Sequence, residues 1–79
     1  MARIIDGEKI NIVGDNVRKA RKAAQISQQQ LADKLETIAV YICRGSISRI
    51  ESGERTVTDI ELAGLSKVLG VPIQSFFDK

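Results

Sequence analysis

The chain has no histidine, no tryptophan and a single cysteine, and these absences remove much of the chemistry a small protein can carry. Without histidine it lacks the commonest general base and the usual partner that activates a serine or cysteine nucleophile. One cysteine, Cys43, permits no intrachain disulfide, and with no histidine beside it there is no Cys/His zinc site. Asp59 and Glu61 are close neighbours, but they lie at a predicted helix start, where carboxylates favour the helix dipole rather than acid–base work. No enzyme, metal site or other cofactor is therefore expected. No apolar run approaches a membrane span and the amino terminus lacks a signal-peptide core, so the expected setting is the cytoplasm, with Cys43 reduced.

What remains is one domain. A chain of 79 residues buries only about 60% of its unfolded surface, so helix packing and a second copy of the chain are the available supports. The net charge of +2 is unevenly spread: residues 16–55 hold eight Lys or Arg (Arg18, Lys19, Arg21, Lys22, Lys34, Arg44, Arg49, Arg55) against four acids. Such a basic middle is either an electrostatic footprint for a polyanion or a solvated helix face, and charge alone does not decide between them.

The first twelve residues read as an arm. Arg3-Ile4-Ile5 and Glu8-Lys9-Ile10-Asn11-Ile12 flank Asp6-Gly7 as a short β-hairpin would, and a disordered arm is the other reading. The spacing predicts helix 1 from Gly14-Asp15 to about Ala24, with Asp15 as N-cap and Val13, Val17, Ala20 and Ala24 as the inner stripe. Helix 2 opens on a capping box, Ser27 to Gln30, buries Leu31, Ala32 and Leu35, and runs to about Ile38. An unusually apolar connector follows, with Ile38, Val40 and Ile42 turned to the core and Tyr41 outward. Helix 3 runs from Arg44–Ser46 to Ser52, with Gly53 as a left-handed stop and Ile47 and Ile50 inward. Helix 4 opens on a second capping box, Thr58 to Glu61, and ends at Gly70; Pro72 then suits the first turn of a last helix to Phe77. Phe76 and Phe77 are the only phenylalanines; either both fill the core or one meets a second copy.

Four pieces carry a resemblance when taken in order: Val17-Arg18-Lys19-Ala20-Arg21-Lys22, Ser27-Gln28-Gln29-Gln30-Leu31-Ala32, Ile47-Ser48-Arg49-Ile50-Glu51-Ser52-Gly53-Glu54-Arg55 and Leu65-Ser66-Lys67-Val68-Leu69-Gly70-Val71. With them the chain resembles the phage-repressor/Xre helix-turn-helix family, the λ-repressor and Cro-like fold. The resemblance implies an all-α, compact five-helix domain over residues 13–79, with the arm at 1–12. Compared with the shortest members, the connector between helices 2 and 3 is lengthened, which alters the angle expected between them.

The resemblance also implies roles. Gln28 matches a position that contacts a phosphate or a nearby base edge. Arg44, Gly45, Ser48 and Arg49 match the outer positions of a recognition helix in the major groove, and Ser46 a small residue at the protein–DNA boundary. Arg21 and Glu51 match a buried pair that ties helix 1 to helix 3. Cys43 and Gly45 stand where the family often has Ser or Thr, so base readout falls on Arg44 and Arg49, whose planar fork suits guanine O6 and N7. Lys19, Lys22 and Arg55 are candidate phosphate contacts or ordinary surface charges.

The function implied is that of a sequence-specific, double-stranded DNA-binding transcriptional regulator, a dimeric repressor reading a two-fold symmetric operator. No separate effector domain is expected, so regulation would come from concentration, promoter competition, or a partner such as a protein corepressor or toxin. The competing reading is a protein-interaction or antitoxin-like module of the same fold.

Overall fold

Two reciprocal caps set the frame of the molecule. The computed structural model describes residues 9–78, in which α1 (Gly14–Ala23), α2 (Gln28–Glu36), α3 (Arg44–Ser52) and α4 (Asp59–Leu69) precede a 3-10 helix at Ile73–Phe77. At α2 the Ser27 hydroxyl accepts from the Gln30 amide while the Gln30 side chain accepts from the Ser27 amide; Thr58 and Glu61 repeat the arrangement at α4. Each pair satisfies two amides that a helix start leaves without partners. Gly53 and Gly70 end α3 and α4 in the left-handed conformation that glycine adopts without strain, at φ 83° and 69°.

The core is built from one face of every element. Val13 and Val17 of the α1 region, Leu31, Ala32 and Leu35 of α2, Ile47 and Ile50 of α3, and Leu65 and Leu69 of α4 are buried together. Val40 and Ile42 of the connector join them, and Phe76 closes the cluster from the 3-10 helix. The alternation along the connector leaves Tyr41 76% exposed between its two buried neighbours. Phe76 is fully buried, whereas its neighbour Phe77 keeps 41% of its surface. The all-α class expected from the sequence holds.

Several local expectations are corrected. Asp15 is not the N-cap of α1; it lies inside the first turn, and its carboxylate accepts from Lys9 Nζ at 3.0 Å. The first amides of α1 are met instead by Asn11, whose Oδ1 accepts from Val13 N at 3.2 Å and Gly14 N at 2.8 Å. Ala24 is exposed rather than part of the inner stripe, because α1 stops at Ala23 and the chain turns through Gln25 at φ 61°. Likewise α2 stops at Glu36, two residues short of Ile38, and Ala39 at φ 62° redirects the chain so that Val40 N returns to Leu35 O at 3.0 Å. The last element is a 3-10 helix with Pro72 as its N-cap at ψ 144°, so the described residues hold four α-helices and not five. Of the arm expected over residues 1–12 as a hairpin or disordered, residues 1–8 lie outside the described residues, while Ile10 and Asn11 are bonded to the end of α3.

Candidate nucleic-acid interface

Burial of Ile47, Ile50 and Glu51 fixes the rotation of α3, because these three residues share its inner face. Arg44, Gly45, Ser48, Arg49 and Ser52 are exposed as a result, and Ser46 is half-exposed on one edge. Ser46 Oγ accepts from Arg49 Nη2 at 3.2 Å and lies 3.4 Å from Cys43 Sγ. The Cys43 thiol is exposed and is held below its ordinary range chiefly by the Ser46 hydroxyl; it makes no side-chain cap to α3.

The inner edge of this surface is an ion pair. Arg21 Nε donates to Glu51 Oε2 at 2.7 Å and Nη2 to Oε1 at 3.1 Å, so α1 grips α3 through both carboxylate oxygens. Arg21 Nη1 also donates to Ile26 O at 2.8 Å, which fixes the turn leading into α2. The Gln28 amide then donates to Glu51 Oε1 at 3.1 Å. Glu51 is therefore the point at which α1, α2 and α3 are bound together. This bond of Gln28 was not visible in the sequence: a polar residue in the first turn of a helix gives no sign of a partner 23 positions away.

The arginines divide into two kinds. Arg21 is engaged with Glu51, and Arg55 with Glu61 through Nη1–Oε1 and Nη2–Oε2 bonds, both 2.9 Å. Arg55 Nη1 also donates to Thr56 O, so the guanidinium, a candidate for phosphate or a plain surface charge, is held within the protein. The pairing pushes the Arg55 guanidinium up and holds the Glu61 carboxyl below its ordinary value of 4.5, each mainly through their mutual hydrogen bonds. Arg18, Lys19, Lys22, Arg44 and Arg49 make no ion pair among the described residues.

Arg18 and Lys22 come together with Gln28, Ser48 and Ser52 around an open groove of about 340 Å³, with the buried Arg21 and Glu51 at its base. Lys19 is exposed but does not line it. Ser52 is thus an addition to the residues singled out from the sequence, whereas Arg18, read there as facing water or phosphate, joins Lys22 four positions on. A second groove, between the outer side of α2 and the start of α3, is lined by Asp33, Glu36, Tyr41, Cys43, Ser46 and Arg55 among others. It has the opposite character, since two acids stand on its α2 wall. Among the described residues no group of His, Cys, Asp or Glu side chains is placed to hold a metal ion, and no helix is long and apolar enough to cross a membrane.

A helix presented outward on a second helix, with the first helix clamped behind both, is the geometry of a helix-turn-helix. Residues 17–76 match the helix-turn-helix family model over most of the chain. The chain belongs to the Xre/Cro-like helix-turn-helix family. As an Xre-family protein it is a DNA-binding transcriptional regulator, in a family of DNA-binding proteins rather than of enzymes. Its fold is also that of the restriction-modification controller protein C.AhdI from Aeromonas hydrophila, known from a high-resolution crystal structure. The two share a TM-score of 0.72 and 25% sequence identity, over 82% of this chain and 87% of that one. No curated protein matches the chain.

Proposed function

We propose that this Xre-family chain binds double-stranded DNA sequence-specifically as a homodimer, places α3 in the major groove, and represses transcription from a two-fold symmetric operator. The observation that carries this reading is the division of the arginines. Arg21 and Arg55 are neutralised by Glu51 and Glu61, whereas Arg44 and Arg49 stand exposed on the outer face of α3 without a carboxylate partner among the described residues. Arginine so placed can donate two bonds to guanine, and Ser48 between them can bond several bases. The groove of Arg18, Lys22, Gln28 and Ser52 accepts the flanking phosphates, aided by the amino end of α2. Lys19 lies outside the groove as a peripheral phosphate contact, and Ser46 holds the side of Arg49 at the boundary. The likeness to the restriction-modification controller protein C.AhdI supports a controller role of the same kind.

One small domain makes few phosphate contacts, and two copies on half-sites about one helical turn apart would raise affinity. Ile60 of α4 and Ile73 and Phe77 of the 3-10 helix are exposed apolar side chains available to a second copy.

Selection of bound duplexes from a random pool, with salt raised during the washes, tests the reading. Enrichment of a two-fold symmetric motif, lost with Arg44→Ala or Arg49→Ala, is the expected result. Retention without any motif, falling steeply with salt, would instead mean phosphate contact alone.

A further inference from the structure

We infer that Asn11, in the segment before α1, is a positioning residue for the recognition helix α3, and that base discrimination depends on it. The inference rests on the major-groove reading above and adds a residue to it that touches no DNA.

The end of α3 is closed from outside its own helix. Within it, Glu54 N donates to Arg49 O at 2.8 Å and Gly53 N to Ile50 O at 3.1 Å, the usual closure around a left-handed glycine. The preceding segment supplies the rest. Asn11 Nδ2 donates to Ile50 O at 3.0 Å and to Arg55 O at 2.7 Å, and Ile10 N donates to Gly53 O at 2.9 Å. Three carbonyls at the exit of α3 are therefore held by two consecutive residues that lie about forty positions away in sequence. The aliphatic part of Lys9 covers Gly53 so closely that a Cβ there would stand 2.7 Å from its Cγ.

The other half of the same amide belongs to α1. Asn11 Oδ1 accepts from Val13 N and Gly14 N, so one buried side chain spans from the start of α1 to the end of α3 with all of its hydrogen-bonding groups engaged. The helices touch there without an intervening side chain, since a Cβ on Gly14 would stand 2.1 Å from Ile50 O. This joint sets where α3 ends relative to α1. The charged side of the phosphate groove, Arg18 and Lys22, rides on α1 and Gln28 on α2, whereas Ser52 at its edge and the base-reading Arg44, Ser48 and Arg49 ride on α3. Loosening the joint shifts the base-reading side chains against a phosphate grip that stays in place.

Asn11→Asp separates the two halves. An aspartate keeps the oxygen that caps α1 but puts a second acceptor against Ile50 O and Arg55 O, where donors stood. The test compares binding to the selected operator and to a scrambled duplex by fluorescence anisotropy over a salt series. It is run at a temperature where circular dichroism shows wild-type helix content. We expect the operator-to-scrambled ratio to fall about tenfold or more, with the log–log salt slope unchanged. The added negative charge acts on both duplexes alike and cancels in the ratio. An equal loss on both duplexes, or an unchanged ratio, would overturn the positioning role while leaving the major-groove reading intact. A wild-type chain with no sequence preference would overturn both. Asn11→Ser keeps an acceptor and a single donor and is expected to fall between; if Asn11→Asp does not fold, its ratio decides by the same criteria.

Discussion

Arg21 and Glu51 meet through two hydrogen bonds with their side chains only 11% and 4% exposed, so the joint between α1 and α3 is a nearly dry ion pair. Charges in such a position attract strongly but are also costly to bury, and the two effects nearly cancel while the pair is intact. The balance fails when one partner is removed. Arg21→Met or Glu51→Leu alone should therefore destabilise the domain by about 3–5 kcal/mol, whereas the double variant should recover most of that loss. Urea denaturation of the three variants checks this, and a double variant no better than the singles would be against it. Loss of DNA binding in either single variant should track unfolding.

Gly14 is held to glycine by backbone approach. A Cβ placed 2.1 Å from Ile50 O must push α1 and α3 apart, because that carbonyl, in the last turn of α3, is already held by Gly53 N and Asn11 Nδ2. Gly14→Ala is expected to cost about 1–3 kcal/mol despite alanine's higher helix propensity, by the penalty for overpacking. A rise in Tm would contradict the geometry.

Glu61 gives the domain an acid-sensitive contact. Arg55 holds its carboxyl below 4.5, so the folded protein binds fewer protons there than the unfolded chain does. The contribution is therefore complete above the unfolded value and fades as pH falls through the lower folded one. Glu61→Gln preserves the capping geometry, as Gln30 does at α2, while removing the charge. Its Tm should vary less with pH between about 5 and 3 than the wild-type Tm does. Parallel curves would show that the Arg55 pair carries none of the acid dependence.

The proposed phosphate contacts of Arg18 and Lys22 are tested by salt dependence. Each alanine variant should lower the slope of log affinity against log salt by about one, equally on operator and scrambled duplex. Lys67→Ala, in the last turn of α4, should leave the slope unchanged. An unaltered slope in Arg18→Ala would remove that residue from the interface.

The pattern of what could be read in advance follows sequence distance. Both capping boxes, the left-handed glycines and the alternation around Tyr41 are dictated within a few residues, and they were legible. Asn11 was not, because its partners Ile50 and Arg55 lie 39 and 44 residues away. The ends of α1 and α2 were overrun for a different reason: Gln25 and Ala39 take positive φ without being glycine, so the usual stop signal is missing. The last element has the composition of a helix, and only its bonding distinguishes it as 3-10. At the candidate site, the outward residues of α3 followed from the inward isoleucines. The commitment of Arg55 to Glu61 and of Gln28 to Glu51 needed the fold, since chemistry alone does not tell a phosphate-seeking side chain from one already engaged.

Phe76 fixes an order of events in the making of the protein. It is the largest fully buried side chain, its carbonyl accepts from Asn16 Nδ2 at 2.9 Å, and Asn16 is sixty residues earlier. While the chain is being synthesised, α1 emerges first yet cannot complete its packing until residue 76 has been added and has cleared the ribosome. The core thus stays incomplete until nearly all of the domain has been translated. Its closure is a late step that joins the two ends of the fold, and a polypeptide stalled before Phe76 would leave the core without its lid.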